Sequence, residues 1–228
     1  NHIINHQLNE HKMNIKNITS ILASAILLFA VGCQPGGNEN SGALSGDLAS
    51  RSFVAPGEHD EFYGFISGGF NGQLSVIGLP SGRIFKNIPV FSVDAEKAYG
   101  FNEETKALLN TSYGFIPWGD SHHPDISQTN GKLDGRWVFI NENNTPRIAR
   151  IDLTTFETVE TIEIPNSAGN HSSSYVTDNT EYVVAGTRFS VPVPQRDMPI
   201  ADYKGNFKGA MSFLKVDQES GEMNIEFQ

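Results

Sequence analysis

Cysteine is nearly absent from this chain, where Cys33 is the only one among 228 residues. A single thiol excludes an internal disulfide, and it excludes a metal cage built from several thiolates of the same chain. Apolar residues make up 38% of the sequence, an ordinary share that argues against both a disordered chain and a polytopic membrane protein. The length is sufficient for one large domain or two small ones with a buried core.

Basic residues are also scarce. The chain has 16 Lys and Arg against 26 Asp and Glu, which gives a formal net charge of −10. The basic residues are scattered along the sequence, whereas a nucleic-acid-binding surface needs clustered cations to neutralise phosphates. The charge therefore argues against a nucleic-acid partner, and it is compatible with steering a basic redox or protein partner.

The signatures of several enzyme classes are missing as well. The sequence contains no G-x-S-x-G elbow, no P-loop and no H-E-x-x-H motif, which disfavours serine hydrolases of the α/β type, P-loop enzymes and zincins. The glycine-rich stretch SGGFNG at 67–72 is explained by a hairpin turn without any bound phosphate.

Long apolar runs are limited to one, Ile18–Val31, which follows Met13 and Lys16. This run is short for a membrane span, so the pattern predicts a signal peptide over 13–33 and export to the periplasm. The residues before and including Cys33 read AVGC, which resembles a bacterial lipoprotein cleavage box and predicts lipidation of Cys33 as a membrane anchor. The alternative is a plain secretory signal in which Cys33 is incidental.

The composition divides the rest of the chain into three parts. Residues 1–12 precede Met13 and are interpreted as translated upstream sequence, while 34–59 are rich in Gly, Ser and Asn and predict a flexible linker. From residue 60 to 228 the chain alternates short apolar runs with turn residues. The stretch AEKAYGFNEETKALL at 95–109 is the one predicted helix in this part.

Alternating hydrophobicity predicts strands throughout 60–228. The predicted strands are Phe62–Ser67, Gln73–Gly78, Ile84–Phe91, Arg136–Asn141, Arg147–Leu153, Val159–Ile164, Tyr182–Gly186, Phe189–Val193, Ala210–Val216 and Glu222–Phe227. Three of the resulting hairpins resemble one another, and such recurrence is typical of a β-propeller. A β-sandwich also has short strands, but it does not require a repeated hairpin. The fold prediction is therefore all-β, namely part of a propeller with too few units to close.

The histidines of this folded part point to a metal site. His122 and His123 are adjacent in DSHHPD, within a predicted loop, and His171 follows the strand that ends near 164. Both segments enter a following hairpin unit, so the propeller prediction brings the three imidazoles to one rim. Imidazoles without Cys or Met favour copper or zinc. Adjacent side chains of an extended loop diverge, which suits two ions of one cluster, and Asp120 and Asp125 are placed to orient an imidazole. The alternative is that His122 and His123 are solvated residues of a surface loop and that His171 is hydrogen-bonded locally.

Three stretches together carry a family resemblance. FYGFISGGFNGQLSVIGLPSGRIFKNIPVFS, PWGDSHHPDISQTNGKLDGRWVFINENNTPRIARIDL and IPNSAGNH closely resemble the N-terminal part of nitrous-oxide reductase, in the branch exported by the general secretory route. The resemblance extends from Phe62 to the end of the chain, and its DSHHPD and DGRWVFIN blocks are specific.

The resemblance implies a seven-bladed propeller that holds a sulfide-bridged four-copper cluster with seven histidines, followed by a cupredoxin domain with a two-copper site. It matches His122, His123 and His171 to cluster ligands, and Asp120 to the aspartate that precedes the histidine pair in the family. That Asp120 orients a ligand in this chain is an inference. Where another branch of the family has a further histidine, this chain has Asp125, so no ligand role is carried over there. The implied reaction reduces N2O to N2 and water, with a cytochrome c or cupredoxin as electron donor and a homodimer as the assembly.

The chain departs from the family pattern in what it contains. It supplies three of the seven cluster ligands, and its lone Cys33 cannot provide the thiolates of the two-copper site. We therefore expect these 228 residues alone to be inactive toward N2O, as a fragment of the parent enzyme. The alternative function is a non-catalytic, lipid-anchored, propeller-like binding protein, and storage of copper or zinc is a third, weaker hypothesis.

Overall fold

Antiparallel strands dominate the computed structural model, which describes residues 48–92, 103, 106, 110–111, 114–116, 119–171, 174–193, 199, 201 and 203–228. The predicted upstream segment, the predicted signal peptide with Cys33 and most of the predicted linker lie outside these residues. Asp47–Gln228 form one compact unit by themselves. Within the described ranges, no helix has both the length and the hydropathy needed to cross a membrane.

The described residues contain short helices and many short strands. In chain order these are α1 (Leu48–Ser52), β1 (Phe62–Ser67), β2 (Gln73–Leu79), β3 (Ile84–Pro89), β4 (Asn110–Thr111), β5 (Gly114–Phe115), β6 (Ser121–Thr129), β7 (Lys132–Glu142), β8 (Arg147–Asp152), β9 (Glu157–Glu163), β10 (Ser174–Val176), β11 (Tyr182–Gly186), β12 (Val191–Pro192), α2 (Tyr203–Asn206), β13 (Phe207–Lys208), β14 (Met211–Val216) and β15 (Met223–Phe227).

Across the described residues, the longer strands form three antiparallel sheets. The first sheet has the order β1-β2-β3, the middle sheet β6-β7-β8-β9, and the third sheet β10-β11-β14-β15. The third sheet is interrupted along the chain by the ribbon β12-β13 and by α2, which lie between β11 and β14. Each sheet is otherwise a meander of neighbouring strands, as the repeated hairpins in the sequence predict.

The middle sheet is covered on both faces, and β7 shows why. Val138 and Ile140 pack against the first sheet, while Trp137 and Phe139 pack against the third. Successive side chains of a strand point to opposite faces, so the continuous run WVFI fills two cores at once. All four side chains are buried, and each contributes about 1.5–3 kcal/mol relative to an exposed position.

Two hydrophobic clusters thus join the three sheets. The cluster between the first and middle sheets contains Leu74, Val76, Ile88, Val90, Phe91, Val138, Ile140, Ala149 and Ile151. The cluster between the middle and third sheets contains Trp137, Phe139, Ile148, Ile164, Val183, Ala185, Leu214, Val216 and Met223. The middle sheet contributes residues to both clusters, so it packs against the first sheet on one face and the third sheet on the other.

The all-β prediction is confirmed, and the strands Phe62–Ser67 and Tyr182–Gly186 have the predicted bounds. The predicted strand Phe189–Val193 is reduced to Val191–Pro192, because Phe189 instead makes an isolated bridge with Ala168. The predicted helix at 95–109 lies mostly outside the described residues. Within that range the structure describes Glu103 and Lys106, and both are helical.

The prediction of a loop around the paired histidines was wrong. Ser121–Thr129 form β6, which lies at one edge of the middle sheet. β6 pairs with β7, and the register shifts between His122 and Asp125. Pro124 lies in that bulge, where its missing N–H costs no ladder hydrogen bond. Pro124 and its polar neighbours are typical of a loop, and for this reason the sequence did not predict a strand here.

Candidate metal centre

Three imidazoles from two separate segments meet at one point of the structure. His122 and His123 are the second and third residues of β6, and His171 lies between β9 and β10. Each offers one ring nitrogen, and these nitrogens all lie within 4.8 Å of one another. The ring centroids of His122 and His171 are 4.3 Å apart, and those of His123 and His171 are 4.9 Å apart. The meeting of these rings agrees with the sequence-based expectation.

The bulge in β6 explains how adjacent histidines reach the same place. In a regular strand, neighbouring side chains point to opposite faces. His123 instead has a φ of 44°, in the left-handed region that non-glycine residues seldom adopt. Its ring centroid consequently lies 5.7 Å from that of His122. The expectation that the two side chains diverge was therefore wrong, because it assumed an extended backbone.

Contacts with the first sheet anchor the start of β6. The Ser121 amide donates to the Gly69 carbonyl at 3.0 Å, and the Ser121 hydroxyl donates to the Gln73 carbonyl at 2.8 Å. A Cβ atom added at Gly119 would lie 2.3 Å from the Phe91 Cβ and 2.5 Å from the Phe91 carbonyl oxygen. The chain therefore passes against Phe91 where only glycine fits.

Asp120 orients the ring of His122. Its Oδ1 lies 2.6 Å from His122 Nε2, and its side chain is only 3% exposed. Asn143 holds this carboxylate, because its Nδ2 donates to Asp120 Oδ2 at 2.9 Å and its amide donates to the Asp120 carbonyl at 3.0 Å. A hydrogen bond from Nε2 to the carboxylate leaves the lone pair of His122 on Nδ1, available to a metal ion.

The surroundings of His171 lower the pKa of its imidazole and so favour the neutral form. Desolvation lowers the pKa of its ring, and the nearby His122, His123 and Arg188 lower it further. All these effects disfavour the imidazolium cation. A metal ligand must be the neutral imidazole, so at neutral pH the ring of His171 is in the form that binds metal ions.

Backbone hydrogen bonds hold the segment that carries His171. The Arg188 amide donates to the Gly169 carbonyl at 2.7 Å, and the Asn170 amide donates to the Glu142 carbonyl at 3.1 Å. Gly169 has a φ of 63°, and a Cβ there would lie 3.0 Å from the Asn143 carbonyl oxygen. The segment thus packs against the end of β7 and against the residues after β11.

Known proteins resemble this chain over most of its length. It is 38% identical over 211 residues to "Nitrous-oxide reductase" of Pseudomonas fluorescens, which covers 91% of this chain and 33% of that protein. It is 34% identical over 209 residues to "Nitrous-oxide reductase" of Stutzerimonas stutzeri, covering 91% and 32%. The chain is nitrous-oxide reductase-like. It spans about a third of the length of these curated relatives.

Other comparisons add little to this relationship. No protein-family model matches the chain. Among solved structures, "Kuenenia stuttgartiensis Hydrazine Synthase" has a TM-score of 0.45 at 15% identity, covering 72% of this chain and 38% of that one. That similarity is too low to carry any argument about this protein.

The second aspartate near the paired histidines, Asp125, bonds to backbone amides. Asp125 accepts a hydrogen bond from the Val176 amide at 3.0 Å and another from the Ile126 amide at 3.0 Å. Its carboxylate therefore connects β10 to β6. The prediction for Asp120 agrees with the geometry. The prediction for Asp125 was wrong, because its carboxylate accepts from two backbone amides and not from an imidazole.

The polar residues that support the histidines were not predicted from the sequence. Asn141 and Asn143 follow the apolar run of β7, and Asn170 directly precedes His171. The missed signal is the cluster of amides in FINENN, at the end of an otherwise buried strand. His59 is exposed and is not a member of the histidine group, and Cys33 lies outside the described residues.

Proposed function

We propose that His122, His123 and His171 bind copper, as part of the metal centre of a nitrous-oxide-reducing enzyme. The observation that carries the proposal is the convergence of three ring nitrogens within 4.8 Å from two distant segments. The names of the curated relatives support the choice of reaction. Because the chain spans a third of those relatives, we assign catalysis to the full-length protein and a ligand-contributing role to these residues.

The donor set fits copper. It consists of imidazoles, which suit copper in proteins, and the described residues around it provide an orienting carboxylate for one ring and a neutral state for another. When bound, copper would supply the redox chemistry of the reaction N2O + 2 H⁺ + 2 e⁻ → N2 + H2O. The residues of this chain would hold the rings in place, with Asp120 accepting a hydrogen bond from the Nε2–H group of His122.

We further propose that the three sheets are consecutive blades of a β-propeller. Each is a small antiparallel meander, and each packs face to face with the next. His122 is the second residue of the first strand of the middle sheet, and His171 lies three residues before the first strand of the third sheet. Entry segments of successive blades lie on the same side of a propeller, which supports a shared site for these histidines.

The remaining proposals concern the full-length protein. The apolar run before Cys33 supports export, with Cys33 as a lipid anchor. N2O as substrate, a periplasmic cytochrome c or cupredoxin as electron donor and a homodimer are supported by the relationship to nitrous-oxide reductases. The four-copper cluster of that family would need ligands in addition to His122, His123 and His171.

Copper titration of the chain tests the proposal. Cu(II) added to the purified full chain should give an electron paramagnetic resonance spectrum with nitrogen superhyperfine coupling from imidazoles. The variant His171→Ala should lose one nitrogen ligand. Its affinity should fall by more than the roughly 10–100-fold that is typical when a residue that only orients a ligand is removed.

His59→Ala is the matched control, because His59 is exposed and lies outside the histidine group. It should bind copper as the wild type does. Unchanged copper binding after all three of His122, His123 and His171 are replaced by alanine would contradict the proposal. Complete absence of copper binding by the wild type would favour the non-catalytic binding protein.

A further inference from the structure

One buried amide connects the two segments that supply the histidines. Asn141 is the Cα partner of His122 across the β6–β7 ladder. Its side-chain Nδ2 donates to the carbonyl of Asn170, the residue before His171. Asn141 therefore pairs with His122 through the strand ladder and contacts Asn170, the neighbour of His171, through its side chain.

The polarity of Asn141 is unexpected at its position. It continues the apolar run Val138–Ile140 and is 0% exposed. Its Oδ1 is buried without a hydrogen-bond partner in the part of the chain that the structure describes. Burying an amide with an unsatisfied atom is unfavourable, so packing alone would favour an apolar residue here. The donor function of Nδ2 is the evident use of this side chain.

We propose that Asn141 is a positioning residue that holds His171 against the His122–His123 pair. The metal-binding role of these rings rests on the proposed function, but the positioning itself concerns the metal-free chain. The hydrogen bond fixes the Asn170 carbonyl relative to β7, and the amide of Asn170 is fixed by the Glu142 carbonyl at 3.1 Å. With both sides of Asn170 bound to β7, the next residue is directed toward His122.

Asn143 is the counterpart on the other side of the site. It binds Asp120 through its side chain and its backbone, so it acts on the ring of His122. Asn141 acts on the backbone before His171. The two amides, two residues apart at the end of β7, therefore support different ligands, and their variants should have separable effects.

The test compares Asn141→Leu with the wild-type full chain. Leucine has a similar size but cannot donate to the Asn170 carbonyl. In the metal-free protein, a nuclear Overhauser contact between the rings of His122 and His171 should be present in the wild type, where the centroids are 4.3 Å apart. We expect Asn141→Leu to lose this contact and to keep the one between His122 and His123.

Copper binding provides the second measurement. The Cu(II) affinity of Asn141→Leu should fall roughly 10–100-fold, which is typical for the loss of a residue that orients a ligand, and one nitrogen coupling should disappear. Asn224→Leu is the control, because Asn224 is an exposed residue of β15, and it should change neither measurement. An Asn141→Leu variant that keeps the ring contact and the affinity would overturn the proposal.

The two measurements separate this inference from the proposed function. A wild type with the ring contact but without copper binding would contradict the metal site, and the ring contact of the variant alone would then decide the role of Asn141. If Asn141→Leu lacks the wild-type circular dichroism spectrum, Asn141→Ala is judged by the same measurements. Unfolding of both variants would make Asn141 a folding residue and overturn the assignment.

Discussion

The two segments that meet at the histidine cluster are held by different means. His122 belongs to a strand of the middle sheet, and its ring is bound directly by the buried carboxylate of Asp120. His171 lies outside the named strands, and the hydrogen bonds of its segment reach its neighbours Gly169 and Asn170. The first ring is oriented through its own atoms, whereas the second is placed through the backbone before it.

This difference predicts how the positions of His122 and His171 respond to substitutions of the residues that support them. A ring bound by a carboxylate depends on one side chain, and its loss changes the orientation and tautomer of the imidazole. A ring placed by its backbone depends on close packing, because a shift of the segment moves the whole side chain. Each segment contains a glycine at a close contact. Gly119, before Asp120, packs against Phe91, and Gly169, before Asn170, packs against Asn143.

The largest expected effect is that of adding a methyl group to these glycines. Gly119→Ala should destabilise the chain by about 3 kcal/mol, because its Cβ would overlap Phe91 and overpacking costs about 1–3 kcal/mol. Gly169→Ala should cost about 1–2 kcal/mol from its left-handed backbone. Denaturant unfolding measures both.

Gly135→Ala is the control for Gly169→Ala. Gly135 has a φ of 70°, and a Cβ added there would have no atom within 4 Å, so this variant isolates the effect of backbone conformation. Gly205→Ala is the control for Gly119→Ala, because Gly205 has no left-handed backbone and a Cβ added there would have no atom within 4 Å. If Gly119→Ala were no more destabilising than Gly205→Ala, the close contact with Phe91 would not matter for holding β6.

The next effect distinguishes the two aspartates beside the histidine pair. Asp120→Asn keeps the shape but weakens the hydrogen bond to His122, and we expect Cu(II) affinity to fall about 10–100-fold. Asp125→Asn is the matched variant, and it should leave the affinity unchanged because Asp125 binds the Val176 amide. Equal losses of affinity in the two variants would contradict the distinction between them.

The smallest effect concerns the hairpin that carries His122, and it depends on pH. Burial alone would raise the pKa of Asp134, but hydrogen bonds from Arg136, Ser127 and Thr129 lower it from 3.8 to about 2. A depressed folded-state pKa contributes stability above the unfolded value of 3.8, and this contribution is lost as the pH falls toward about 2.

Asp134→Asn should therefore reduce the free energy of unfolding by about 1 kcal/mol at neutral pH, allowing for solvent screening. The difference from the wild type should shrink as the pH falls below 3.8 and through about 2, where folded Asp134 takes up its proton. Thermal unfolding between neutral and acidic pH measures this, with the exposed Glu219→Gln as control. A difference that is independent of pH would show that the ionised carboxylate of Asp134 is not responsible.

Local sequence was a good guide to the strands and a poor one to the bulge. Tyr182–Gly186 could be predicted because alternation and turn residues are local properties. β6 could not, because Pro124 and the polar residues around it are unfavourable in a strand, and the edge position that tolerates them depends on pairing with β7. The same bulge makes His123 adopt the conformation that brings its ring beside that of His122.

The sequence by itself determined the all-β class, the recurrence of hairpins and the three histidines of the candidate site, because patterns of hydrophobicity and the chemistry of imidazole are present in the residues themselves. Only the tertiary structure decided which aspartate binds the ring of His122. It also decided that Asn141 contacts Asn170, the residue before His171. His122 and His171 are far apart along the chain, so their meeting depends on the packing of one sheet against the next.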